Sequence, residues 1–142
     1  MIIKAPNKIP VNPKETMIFL AGSIEMGKAE NWQDRISKAL DNCIILNPRR
    51  DDWDSSWTQR MDNPKFREQV EWELDAMDSA DRIIMYFDRN TKSPISLLEL
   101  GLYASSGKLV VCCPNGFWRK GNVEIICNRY KIKMVETLEE IT

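Results

Sequence analysis

The feature that most constrains this chain is the alternation of short, unbroken apolar runs with segments whose apolar residues recur at helical spacing. TMIFLA (Thr16 to Ala21), CIIL (Cys43 to Leu46), DRIIMYF (Asp81 to Phe87) and LVVCC (Leu109 to Cys113) are too short for buried helices. Three of them stop at turn formers: Gly22-Ser23, Asn47-Pro48 and Pro114-Asn115-Gly116. Between them, helices are predicted over Asn31 to Leu40, from Pro64 with Asn63 as N-cap, and from Ser93-Pro94 to about Ser106. The Pro64 helix carries an apolar stripe of Phe66, Val70, Leu74 and Met77. A further helix over Asn122 to Tyr130 and a short fifth strand over Ile132 to Val135 complete the series. Continuous apolar strands alternating with helices belong to a parallel sheet covered on both faces. The expected fold is α/β: a flavodoxin- or Rossmann-like, three-layer, doubly wound sheet of about five mainly parallel strands.

At 142 residues the chain is expected to form one domain, with residues 1–15 as an extended leader. That leader, MIIKAPNKIPVNPKE, lacks the apolar core of a signal peptide, and no apolar run approaches membrane-span length. A cytoplasmic location is the expectation. Twenty Lys+Arg against 21 Asp+Glu give a net charge of -1, which offers no general surface for nucleic acid or membrane.

There is no histidine. A Ser-His-Asp triad, a Cys-His pair and any histidine-ligated metal site are therefore excluded. The four cysteines, Cys43, Cys112, Cys113 and Cys127, form no CxxC pair and read as reduced core thiols. Cys112 and Cys113 point to opposite faces if they share a strand. Neither a metal nor a cofactor is expected. Chemistry must come from carboxylates, hydroxyls, amines, thiols or backbone groups.

In open parallel sheets the ligand lies beyond the carboxyl ends of the strands. Four segments occupy that position: Gly22 to Lys28, Asn47 to Asp62, Asp88 to Glu99 and Pro114 to Asn122. In the first, Gly22, Ser23 and Gly27 allow close backbone approach to an anion, or simply make a tight turn. In the second, Arg49 and Arg50 can grip a phosphate or carboxylate, with Trp53 and Trp57 for stacking, or can form a solvated surface. Glu73 borders the stripe of the Pro64 helix, as a site carboxylate, a surface charge or a helix salt bridge. Glu99 lies within two turns of its helix start. There Ser96-Leu97-Leu98-Glu99 also fits a capping box, as Ser93 before Pro94 fits an N-cap. Two carboxylates, hydroxyls, arginines and aromatics without histidine suit glycosidic-bond chemistry.

FLAGSI after the first long strand, the acid in WELDAMDSAD and ELG in SLLELGLYASSGK together resemble the nucleoside 2-deoxyribosyltransferase family. Its hydrolase relatives, the 2′-deoxynucleoside 5′-monophosphate N-glycosidases, share this frame, and the resemblance runs from about Met17 to Val135. It implies a small-molecule nucleoside or nucleotide as partner and a homodimer or higher homo-oligomer with sites near subunit contacts. It also implies attack by a glutamate, matching Glu99, on the deoxyribose anomeric carbon to give a covalent intermediate. The family's second acid is usually an aspartate; the matching residue here is Glu73, eight residues before Asp81, with Asp75 and Asp78 close by. Six residues before Glu99 stands Ser93, where transferases of free nucleosides carry a sugar-contacting aspartate. The monophosphate glycosidases have serine there and in the GS turn. Ser23 and Ser93 match those phosphate contacts, beside Gly22 and Ile24, with Arg49 or Arg50 adding charge. GFWRKGNVEI resembles the same branch and implies that Asn122 reaches a neighbouring subunit's site; capping of its own helix or a plain surface turn is the alternative. Two other functions fit the same residues: a non-catalytic nucleotide sensor, and a glycohydrolase of NAD-like nucleotides.

Overall fold

Residues 1–23, 31–54 and 56–141 are described by the structure, a computed structural model. Its centre is β2 (Thr16–Gly22), flanked by β3 (Cys43–Asn47) and β4 (Arg82–Tyr86). Outward from these lie β1 (Ile2–Lys4) on one side, and β5 (Leu109–Cys112) then β6 (Lys133–Val135) on the other. The order is β1-β3-β2-β4-β5-β6 and every pairing is parallel. Among the described residues, four α-helices accompany the strands: α1 (Trp32–Ala39), α2 (Pro64–Ser79), α3 (Pro94–Tyr103) and α4 (Lys120–Tyr130). The doubly wound α/β expectation holds, with six strands rather than about five. Among the described residues no helix is long and apolar enough to cross a membrane.

Strand periodicity divides the core into two layers. Met17, Phe19 and Ala21 of β2, with Ile83 and Met85 of β4, face Trp72, Ala76 and Met77 of α2, Leu100 and Tyr103 of α3, and Val123 and Cys127 of α4. Ile18 and Leu20, with Ile45 and Ile84, face Trp32 and Ile36 of α1 and Leu138 of a terminal 3-10 turn. Cys112 and Cys113 fall in opposite layers, as alternation requires, and all four cysteines are free.

Three local expectations are corrected. The leader contains β1, which pairs Ile2 with Ile45 and Lys4 with Asn47. An edge strand of three residues is too short to leave a readable pattern. The buried face of α2 is Gln69, Trp72, Ala76 and Met77, while Val70 is exposed. Trp72 has the largest apolar surface on that helix and turns it by about a quarter turn from the expected stripe. Glu73 therefore faces inward beside Gln69. Finally, α3 starts at Pro94, so Ser96 lies inside the helix and forms no capping box; the reciprocal Thr137–Glu140 box opens the terminal 3-10 turn instead.

Candidate active site

The chain runs from β2 to β3 on one side and then returns to β4 on the other, so the sheet's switch point lies between β2 and β4. Gly22 pairs there with Tyr86. Its φ is +132°, and a Cβ would sit 2.2 Å from the Tyr86 carbonyl oxygen, so only glycine fits. This closeness delivers Ser23 directly to the end of β4. Ser23 N–H donates to the Tyr86 carbonyl at 2.9 Å, and the Asp88 N–H donates to Ser23 Oγ at 2.9 Å.

Ser93 meets Ser23 in a short hydroxyl–hydroxyl hydrogen bond. Thr91 Oγ1 lies 3.1 Å from Ser23 Oγ, 2.8 Å from Ser93 Oγ and donates to the Asp88 carbonyl at 2.9 Å. All three hydroxyl residues are buried. Ser93 precedes α3 with φ +47° and makes no side-chain cap, which corrects the capping expectation: its carbonyl accepts from Leu97 N–H while its hydroxyl turns to Ser23. Thr91 completes the cluster and was not singled out from the sequence, where DRNTKS reads as a plain polar loop.

From this cluster α3 carries Glu99 inward, about 9 Å along the helix axis from Ser93. Glu99 shares the buried face of α3 with Ser96, Leu100 and Tyr103, and is 8% exposed. Desolvation raises its carboxyl pKa to about 7. Glu73, on α2, is raised to about 8, first by burial and second by the charge of Glu99, against a hydrogen bond from Gln69 that favours its ionised form. Glu73, half-buried, thus feels the charge of Glu99 from the next helix. Glu73 makes no ion pair among the described residues, so the helix salt-bridge alternative fails. Asp75 and Asp78 are exposed, and Asp78 accepts the Tyr103 hydroxyl at 2.8 Å.

The end of β3 supplies the next wall. Arg50 is buried rather than solvated: Nε donates to Asp52 at 2.7 Å, Nη2 to Glu68 at 2.8 Å, and the guanidinium lies 5.3 Å from the Trp57 ring centre. Trp57 in turn meets Trp53 edge-on at 4.9 Å. Arg50 is thus paired within the fold, while Asp51, Asp52, Asp54, Arg60 and Asp62 of the same segment form an exposed charged surface. Arg50 Nη1 is buried without a partner. Arg49, half-buried, donates from Nε to Gln33 Oε1 at 2.7 Å. Gln69 donates to the Pro48 carbonyl at 2.8 Å, tying α2 to the same segment.

Ile24, with residues 25–30, lies outside the described residues. Asn122 is the third residue of α4 and exposed; Arg119 holds the N-cap position, so the capping and surface-turn alternatives for Asn122 are overturned. A separate cavity of about 620 Å³ opens past β4, β5 and β6, lined by Tyr86, Asp88, Arg89, Asn90 and Pro114 among others. It adjoins the hydroxyl cluster through Tyr86 and Asp88, but neither glutamate lines it.

A family model described as "Nucleoside 2-deoxyribosyltransferase like" matches residues 15–117. The chain belongs to this family. The match begins just before β2 and ends at Phe117, so Gly22, Ser23, Glu73, Ser93 and Glu99 all fall inside the region it shares with other nucleoside 2-deoxyribosyltransferase-like proteins. β1 and Asn122 fall outside it. No curated protein matches the chain.

Proposed function

We propose that the protein cleaves or transfers the N-glycosidic bond of 2′-deoxynucleosides or their 5′-monophosphates through a glutamyl-glycosyl intermediate. The carrying observation is the pair Glu73 and Glu99, carried by successive helices, both held above ordinary carboxyl pKa values by burial, with the charge of Glu99 raising Glu73 further. Two acids that oppose each other's ionisation suit one to be charged while the other keeps its proton. Glu99 loses its proton first and attacks C1′. Glu73 keeps its proton longer and delivers it to the departing base. Water then completes hydrolysis, or a second base completes transfer.

The hydroxyl cluster favours the monophosphates. Ser23 and Ser93 are neutral hydroxyls at the switch point, whereas an aspartate at position 93 would repel a phosphate. Arg49 and Arg50 sit at the neighbouring strand end, and the Nη1 of Arg50 is unpartnered. Gly22 would line the sugar side of the same strand end. A homo-oligomer would close the pocket: α3 exposes Ile95, Leu98 and Leu102 on its outer face, and Asn122 would enter from the neighbour. Sedimentation of the pure protein reads this directly.

The test is incubation with a panel of deoxynucleosides, deoxynucleoside monophosphates and NAD, with and without an acceptor base, followed by chromatography. Free base or exchanged product from the deoxy donors supports the proposal. Binding without turnover of any donor at high enzyme concentration would leave a nucleotide sensor instead. Release of nicotinamide alone would leave an NAD-type glycohydrolase.

A further inference from the structure

Phe117 is buried against Phe87, with ring centres 4.9 Å apart, while the next residue, Trp118, stays at the surface. Polar contacts rather than core packing set the position of this indole. Its Nε1–H donates to the Lys92 carbonyl at 2.9 Å, and the Lys92 ammonium and Arg119 guanidinium lie 5.5 and 4.5 Å from the ring centre. The loop after β5 is thereby clasped to the loop after β4. The Lys92 carbonyl belongs to the planar peptide that leads into Ser93, so holding it fixes the plane from which Ser93 turns. Ser93 is left-handed, with φ +47° and ψ +54°. A residue with a Cβ keeps that conformation only where its surroundings over-determine it. Ser23 and Thr91 hold its hydroxyl; the Trp118 bond holds the peptide on its N-terminal side.

We propose that Trp118 is a positioning residue for Ser93, and that its clasp with Lys92 and Arg119 makes this strand end select a donor carrying a 5′-phosphate over one carrying a free 5′-hydroxyl. The proposal rests on the function argued above and adds the residues that set its specificity. Through the Lys92 carbonyl, Trp118 keeps Ser93 Oγ in the hydroxyl cluster. The same indole gathers the cations of Lys92 and Arg119 beside that turn. Both are exposed, and neither is in an ion pair among the described residues. Lys120, the next cation along the chain, is taken by Glu136. Cations without carboxylate partners at the edge of a site raise the local concentration of an anion and speed its arrival. They give an uncharged nucleoside no such advantage.

The experiment compares the wild type, Trp118→Phe and Lys92→Met on matched pairs of a 2′-deoxynucleoside and its 5′-monophosphate. Calorimetric titration with 2-deoxyribose 5-phosphate adds a readout that needs no turnover. Trp118→Phe keeps an aromatic ring for the cations and removes the N–H. Loss of that one hydrogen bond is expected to lower kcat/KM for the monophosphate, relative to the nucleoside, by about three- to tenfold, and to weaken deoxyribose 5-phosphate by a similar factor. Lys92→Met keeps the backbone carbonyl and removes a charge, so the monophosphate should lose part of its advantage and respond less to added salt. A residue that only supports the fold would lower the melting temperature and affect both donors alike. Equal loss on both donors in Trp118→Phe, an unchanged affinity for deoxyribose 5-phosphate, or a wild type that does not bind this probe would overturn the proposal. If Trp118→Phe fails to fold, Lys92→Met decides, and an unaltered donor ratio and salt response overturn it. Absence of turnover of every donor would overturn the functional reading, while weaker binding of deoxyribose 5-phosphate by Trp118→Phe would still uphold the clasp.

Discussion

Glu73 and Glu99 belong to successive helices, yet the charge of Glu99 reaches Glu73 and raises its affinity for a proton. Burial of both side chains strengthens the effect, because little water separates them. The chain keeps two acids where apolar residues would be more stable, and that retention has a measurable consequence.

Both pKa values lie above the ordinary 4.5, at about 8 and about 7. The folded state therefore holds more protons than the unfolded chain across that window, and stability falls as pH rises through it. Glu73→Gln removes the larger part of this penalty. The variant is expected to be more stable than the wild type near pH 9, by roughly 1–3 kcal/mol, with the gap closing below about pH 5. Calorimetric melting across pH checks this, and a gap that widens toward acid would contradict it.

Gly22→Ala tests the contact that brings Ser23 to the switch point. The new methyl would meet the Tyr86 carbonyl at 2.2 Å with φ at +132°. The central β2–β4 pairing must shift, at a cost of about 2–4 kcal/mol. Denaturant unfolding reads the loss; a variant within about 0.5 kcal/mol of wild type would show that this contact does not constrain the turn.

Arg50→Met separates the segment after β3 from the rest of the fold. The substitution keeps most of the side-chain volume but leaves Glu68 without its 2.8 Å partner and Trp57 without the cation on its face. Faster hydrogen exchange over residues 49–63 and changed tryptophan fluorescence are expected, with β2 and β4 unaffected. Unchanged exchange in that segment would mean the ion pairs do not hold it.

The central strands were legible because each is a continuous apolar run, and a strand buried on both faces needs no polar alternation. β1 was not, since three residues at a sheet edge carry no period. The rotation of α2 was misread for a physical reason: spacing weighs Val70 and Trp72 alike, while packing favours the indole. Glu99 and Glu73 could be singled out from spacing and resemblance. Gln69 and Thr91 are polar residues that read as surface, and only the packing of α2 on the Pro48 carbonyl and of the loop after β4 on Ser23 buries them.

Ser93→Asp addresses the choice between nucleoside and nucleotide. A carboxylate beside Ser23 would repel a 5′-phosphate, so KM for monophosphates should rise about tenfold or more while free nucleosides are spared. Steady-state kinetics on matched donor pairs measures it, and equal loss on both would detach Ser93 from phosphate recognition.

The central claim is that Glu99 forms a bond to the sugar. Rapid acid quench of the enzyme during turnover, followed by peptide mass spectrometry, looks for that bond directly. The account predicts a deoxyribosyl adduct on the peptide containing Glu99, absent in Glu99→Gln together with turnover. An adduct on another residue, or full activity in Glu99→Gln, would contradict it.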